Sequence, residues 1–202
     1  KVVTRRDQLL RDGGIQFELN TDVGNTVTLT ALRAKHDAIL IATGVYKSRQ
    51  LKIAGSELGN IVPAIAYLTA SNRKGMGDAV PLFDSGALNA EGKRVIVIGG
   101  GDTAMDCVRT AIRQGAASVT CLYRRNRANM PGSRREVSYA EAEGVQFEWL
   151  SAPHAFAGET VVTGVTVQRM HLTSQEEGDR QMVVPSEGDV MDMPADLVIK
   201  AL

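Results

Sequence analysis

The stretch "RVIVIGGGDTAMD", residues 94–106, decides the fold. Four consecutive apolar residues, 95–98, read as a strand buried on both faces. Three glycines follow at once, and then a segment with helical apolar spacing. Strand, glycine turn and helix in that order open a dinucleotide-binding βαβ unit. Here, however, more than ninety residues come before it.

Within the turn, Gly99, Gly101 and Ala104 form G-x-G-x-x-A around Gly100. Gly99 permits a tight turn, Gly101 lets the backbone approach a pyrophosphate, and Ala104 lets helix and strand pack closely. The helix N-terminus, through Thr103 and its neighbours, offers free N–H groups and a positive dipole end to phosphate. A carboxylate beside a pyrophosphate is repulsive, so Asp102 is expected to cap the helix rather than face the ligand. Glycine turns of this kind also serve packing alone; its place within a βαβ unit favours the nucleotide.

Downstream, strand and helix keep alternating: a helix over 102–115, a strand "SVTCLY" (118–123), a helix over 133–144 and a strand "VQFEWL" (145–150). Such alternation implies a parallel sheet with right-handed crossovers. Residues 161–172 and 180–185 look like antiparallel strands of a small meander, and "ADLVIKAL" (195–202) closes the chain. The end of "SVTCLY" chooses the cofactor. An NAD site places an acidic residue there for the ribose 2′-hydroxyl, whereas this chain reads "LYRRNR". Arg124 and Arg125, with Arg127 close by, suit the 2′-phosphate of NADP(H) through charge-assisted bonds. A solvated basic loop is the alternative. In "GSRRE", Arg135 could add positive field near the cofactor, or simply belong to a capped helix start.

Upstream, residues 1–14 carry mainly helical spacing and stop at Gly13-Gly14. Residues 15–19 and 26–32 read as short strands, and "HDAILIATG" (36–44) as a strand buried on both faces. "NIVPAIAYLTASN" (60–72) reads as a helix with Pro63 in its first turn, and the glycine-rich run after it as a linker. "HDAILIATG" and "ADLVIKAL" echo each other: an acid, an apolar strand, a small residue. The echo suggests two related nucleotide-binding units and marks Thr43, Gly44, Ala201 and Leu202 as candidate cofactor contacts. The chain starts without methionine and stops inside an apolar run, which suggests a piece of something longer.

Composition removes other classes. Lysine plus arginine number 23, as do aspartate plus glutamate, so net charge gives no case for nucleic acid or an anionic membrane. No apolar run approaches the ~20 residues of a membrane helix, and no signal peptide is recognised. Cys107 and Cys121 have no metal-ligand or CxxC spacing and fall in apolar segments, so buried reduced thiols and a cytoplasmic setting are expected. His36, His154 and His171 are scattered, with no triad or metal pattern.

Taken together, "VIVIGGGDTAMDCVRTAIRQGA", "CLYRRNRANMPGSRREV" and "IATGVYKSR" resemble the small (beta) subunit of NADPH-dependent glutamate synthase, across essentially the whole chain. The "RANMPGSRREV" passage is far more specific than the glycine turn. Asn126 stands where aspartate is expected and Ala54 where proline often precedes the glycine of a turn; neither removes a ligand.

The resemblance implies a two-dinucleotide-domain flavoprotein, its NADP domain inserted into its FAD domain, which accounts for a glycine turn in mid-chain. The fold class is then α/β: a Rossmann-like NADP-binding domain, parallel sheet plus small antiparallel meander, with part of a flavin-binding domain. Residues 1–47 would be the later part of the first FAD segment, 48–92 a crossing linker, and 93–202 the NADP domain. "ATG" at 42–44 is similar to the turn near the flavin nucleotide. FAD and iron–sulfur clusters would belong to the full-length protein, and the large (alpha) subunit would be its partner, receiving electrons to form glutamate from 2-oxoglutarate and glutamine-derived ammonia. Hydride transfer between two cofactors needs orientation rather than a protein acid or base, so no catalytic side chain is nominated. These residues alone are not expected to hold flavin or oxidise NADPH. A related flavin/iron–sulfur electron-entry module, as in dihydropyrimidine dehydrogenase, and a non-catalytic NADP-binding module remain as alternatives; thioredoxin reductase is disfavoured for want of its CxxC.

Overall fold

The computed structural model describes residues 2–44, 50–173 and 181–202. The chain forms two compact units, residues 1–44 and 45–202.

The first unit holds two helices, α1 (Val2–Asp12) and α2 (Leu29–Lys35). α1 ends at the glycine pair, with Gly14 at φ +88°. α2 lies where β-branched residues suggested a strand. Thr28 caps it, its Oγ1 accepting the Ala31 N–H at 3.1 Å, and that local bond outweighs the strand propensity of "TVTLT". Nor do residues 15–19 or 36–44 form strands. A strand buried on both faces needs ladder partners, and the described residues of this unit provide none. Ile39, Leu40 and Ile41 are accordingly exposed, Leu40 at 90%.

The second unit is built on a five-stranded sheet. Its elements in chain order are β1 (Ile61–Pro63), α3 (Ala64–Gly75), the single turn α4 (Pro81–Asp84), β2 (Arg94–Ile98), α5 (Asp102–Arg113), β3 (Ser118–Tyr123), α6 (Arg134–Ala142), β4 (Gln146–Trp149), β5 (Ser151–Gly158), β6 (Val162–Leu172), β7 (Val183–Pro194) and β8 (Leu197–Lys200). The sheet order is β1-β8-β2-β3-β4, and every neighbouring pair is parallel. β5, β6 and β7 form a separate antiparallel sheet. The α/β class with a parallel sheet and a small meander is therefore what the chain adopts.

Two expectations shift. Pro63 is the N-cap of α3, not a residue of its first turn, and Ile61–Pro63 form an edge strand beside β8. The meander has a third strand, β5. "SAPHAFAG" is rich in alanine and carries Pro and Gly, so it shows weak strand propensity; pairing with β6 defines it.

Alternate residues of each strand enter opposite cores. Val95 and Val97 of β2, Val119 and Cys121 of β3, and Leu197 and Ile199 of β8 pack against the helices, meeting Ala104, Met105, Val108 and Ala111 of α5. Ile96, Ile98, Leu122 and Val198 face the other way, towards Phe156, Val162, Val165 and Val167 of the antiparallel sheet. Full burial of each such aliphatic chain contributes roughly 1.5–3 kcal/mol. Continuous apolar runs are thus what a sheet covered on both faces requires. Cys107 and Cys121 are free and buried, and burial pushes both thiols up to about 12, far from reactivity.

The acid that opens "ADLVIKAL" pins β8 to β2. Asp196 Oδ2 accepts the backbone N–H of Arg94 at 2.9 Å and its Nε–H at 2.8 Å, while Oδ1 accepts from Nη2 at 2.6 Å. These bonds hold the Asp196 carboxyl down to about 2, below the ~3.9 of an unfolded chain. Its stabilisation is therefore present above about pH 4 and lost as pH falls towards 2. Asp196→Asn should lower the melting temperature by a few degrees at neutral pH and flatten the fall between pH 4 and 2, followed by circular dichroism. Because the pair is partly exposed, the effect is modest. Identical acid profiles for the two proteins would contradict this.

Candidate dinucleotide site

The chain runs β2-α5-β3-α6-β4 away from β2 in one direction, then returns through the antiparallel sheet to β8 on the opposite side of β2. The connections diverge at the carboxyl ends of β2 and β8, which is where open α/β sheets bind ligands. A cavity of about 800 Å³ lies there, walled by the glycine turn, by Tyr123 to Arg125 at the end of β3, and by Lys200 to Leu202 at the end of β8.

The three glycines are needed for three different reasons. Gly99 sits at φ +148°, and a Cβ there would strike the Ala201 carbonyl. A Cβ on Gly100 would enter the Tyr123 ring. Gly101 has ordinary extended backbone, φ −90° and ψ 178°, and a Cβ on it would meet nothing within 4 Å. That empty space is the approach a phosphate needs.

Carbonyls of the turn are each held from behind. Gly99 O accepts the Cys121 thiol at 3.3 Å, Gly100 O accepts the Gly132 N–H at 2.9 Å, and Gly101 O accepts the Ala104 N–H at 2.9 Å within α5. The Gly100 and Gly101 N–H groups, by contrast, donate to no partner among the described residues. Fixed carbonyls and free donors at a helix N-terminus form an anion cradle.

Asp102 corrects one expectation. Gly101 is the N-cap of α5, and Asp102, the first helical residue, makes no capping bond. Its Oδ1 instead accepts the Ser133 N–H at 2.9 Å. With the Gly132–Gly100 bond, this fastens the "MPGS" loop over the glycine turn. Ala104 is fully buried against the sheet, as its size requires.

Of the expected contacts, Gly99, Gly100, Gly101, Thr103, Arg124, Arg125, Ala201 and Leu202 line the cavity together. Arg124 is exposed and Arg125 half-buried. Arg125 Nη1 is buried and has no hydrogen-bond partner among the described residues. Arg124 presents its guanidinium openly at the cavity wall beside Arg125, and such paired cations suit a phosphate. The donors therefore fit a dinucleotide carrying a 2′-phosphate.

Two arginines are not brought to the cavity. Arg127 forms a fork with Glu141, at 2.5 and 2.8 Å. Arg135 donates from Nε to the Tyr139 hydroxyl at 3.0 Å and lies over its ring. Thr43 and Gly44 end the first unit in irregular backbone and are exposed; "GVYKSR" runs from Gly44 into residues 45–49, which lie outside the described residues. Other wall residues had no signal of their own: Leu51, Pro63–Ile65 and Ser151–Pro153 arrive through tertiary structure. Lys200 did have one, a charge inside the apolar run "LVIKAL".

These features describe a Rossmann-like α/β unit whose glycine turn and arginine pair meet in one cavity. Residues 6–201 match the model of the pyridine nucleotide-disulphide oxidoreductase family, and the chain belongs to that family. It is 58% identical to the "Glutamate synthase [NADPH] small chain" of Azospirillum brasilense, over 100% of this chain and 42% of that protein. To the "Putative glutamate synthase [NADPH] small chain" of Cereibacter sphaeroides it is 57% identical, over 100% of this chain and 48% of that protein. The chain thus spans less than half the length of these curated relatives. Among solved structures, Mycobacterium tuberculosis FprA in complex with NADPH superposes with a TM-score of 0.78 at 19% identity, covering 100% of this chain and 57% of FprA; this likeness concerns the fold. Among the described residues, no helix is long and apolar enough to cross a membrane.

Proposed function

We propose that this chain is the NADPH-binding portion of a glutamate synthase small chain, and that it presents NADPH for hydride transfer to FAD. The observation that carries the reading is the cavity itself. It joins a glycine turn with an open Gly101 and two arginines beyond β3, and among the described residues no acidic side chain lines it.

The residues bind and orient. The Gly100 and Gly101 N–H groups and the N-terminus of α5 take the diphosphate, Arg124 and Arg125 take the 2′-phosphate, and the α3 end of the cavity receives the nicotinamide half. NADPH, once bound, supplies the hydride. The "MPGS" loop, fastened by Asp102 and Gly100, holds the turn in shape from outside. No side chain has to move a proton.

The similarity to glutamate synthase small chains supports the wider assignment: FAD and iron–sulfur clusters elsewhere in the full-length protein, a large-subunit partner, a cytoplasmic setting, and electrons used for glutamate formation. Residues 1–47 would then belong to the flavin domain and 93–202 to the NADP domain, with 48–92 crossing between them. In the full-length protein NADPH should bleach the flavin absorbance rapidly, and the Arg124→Ala, Arg125→Ala double variant should need about 10- to 1,000-fold more NADPH at unchanged flavin content. Flavin that NADH reduces as readily as NADPH would refute the assignment.

A further inference from the structure

Lys200 is the one charged residue in the buried set among the described residues, at 8% exposure. It ends β8 in register with Ile98 of β2 and Pro63 of β1, one residue before the Ala201 carbonyl that backs Gly99. Its side chain follows the apolar alternation of β8 to the face shared with Val198 and Ile98, and it lines the cavity. Among the described residues its ammonium has neither an ion-pair partner nor a hydrogen-bond acceptor, and none of the cavity-lining residues is acidic. Its Nζ is not among the side-chain atoms shut from solvent, so the ammonium opens on the cavity, where an anion would pair with it.

We infer that Lys200 is a second anion anchor of the cofactor and holds the phosphate of its nicotinamide-mononucleotide half. The inference rests on the dinucleotide reading above. Arg124 and Arg125 follow β3, while Lys200 ends β8, with β2 between them. The strands that carry them are two spacings, about 10 Å, apart. A dinucleotide gripped by the arginines at its 2′-phosphate crosses the glycine turn of β2 and then passes over β8 and β1. The first anionic group on that side of the turn is the nicotinamide-side phosphate. The lysine ammonium acts there as a point charge.

The test compares two ligands by calorimetric titration of the full chain: NADP+, and 2′,5′-ADP, which keeps the 2′-phosphate and lacks the nicotinamide mononucleotide. Lys200→Met should weaken NADP+ by about 10- to 100-fold and leave 2′,5′-ADP within threefold of the parent. Lys200→Arg should recover part of the NADP+ affinity. Methionine keeps the length and is apolar, so the fold should survive; a melting curve checks this. Wild-type affinity for NADP+ in Lys200→Met overturns the role of the lysine alone. Equal losses for both ligands overturn it too, placing the effect in the adenosine half or in the fold. A parent protein that binds neither ligand overturns the dinucleotide reading, and this inference with it.

Discussion

Gly101→Val is expected to abolish NADP binding, by at least about 100-fold, while the protein stays folded. The backbone at Gly101 is extended and accessible to any residue, and its Cβ direction is empty to 4 Å. Valine at an N-cap costs only about 1 kcal/mol relative to a good cap, so the melting temperature should move by a few degrees at most. Its branches would nevertheless fill the space a pyrophosphate must occupy and would screen the free N–H donors. Gly99 and Gly100 are poorer probes, because side chains there collide with Ala201 and Tyr123 and report on folding. Binding titrations and thermal melts of Gly101→Val separate the two effects. Unchanged affinity would place the cofactor away from this turn.

The Arg124→Ala, Arg125→Ala double variant should lose about 10- to 1,000-fold in NADP affinity and almost nothing for NAD. Each charge-assisted bond contributes roughly 1.5–3 kcal/mol, and NAD has no 2′-phosphate to lose. Stability gives a second readout. Arg125 Nη1 is buried without a partner, so removing it should leave the melting temperature of the free protein unchanged or slightly higher. A variant that binds NADP normally would assign these arginines to solvent. One that unfolds would make them structural.

Most of the second unit was legible from residues 94–202, because a parallel sheet covered on both faces writes its strands as apolar runs and its turns as glycines. β2, α5, β3, α6, β4 and β8 were all visible in that way. β1 and β5 were not. Ile61–Pro63 is three residues long and hidden in a helix-like pattern, and β5 owes its existence to β6. The first unit misled where local chemistry beat propensity, as at Thr28, and where "HDAILIATG" found no ladder partner among the described residues. The glycines and the Arg124-Arg125 pair, singled out by type and spacing, do meet at one cavity; their role there is the proposal. The true partner of Asp102 was not legible, since Ser133 lies 31 residues away and only the tertiary fold brings its N–H to the carboxylate. Lys200 sat in plain view as a charge in a buried strand; its meaning needed the cavity.

The account stands or falls on whether this cavity recognises a 2′-phosphorylated dinucleotide. Side-by-side calorimetric titrations of the unmodified protein with NADP+ and NAD+ test that most directly. One stoichiometric site with NADP+ bound tighter by about 10- to 1,000-fold is the predicted result. Equal affinities, or a preference for NAD+, would contradict it.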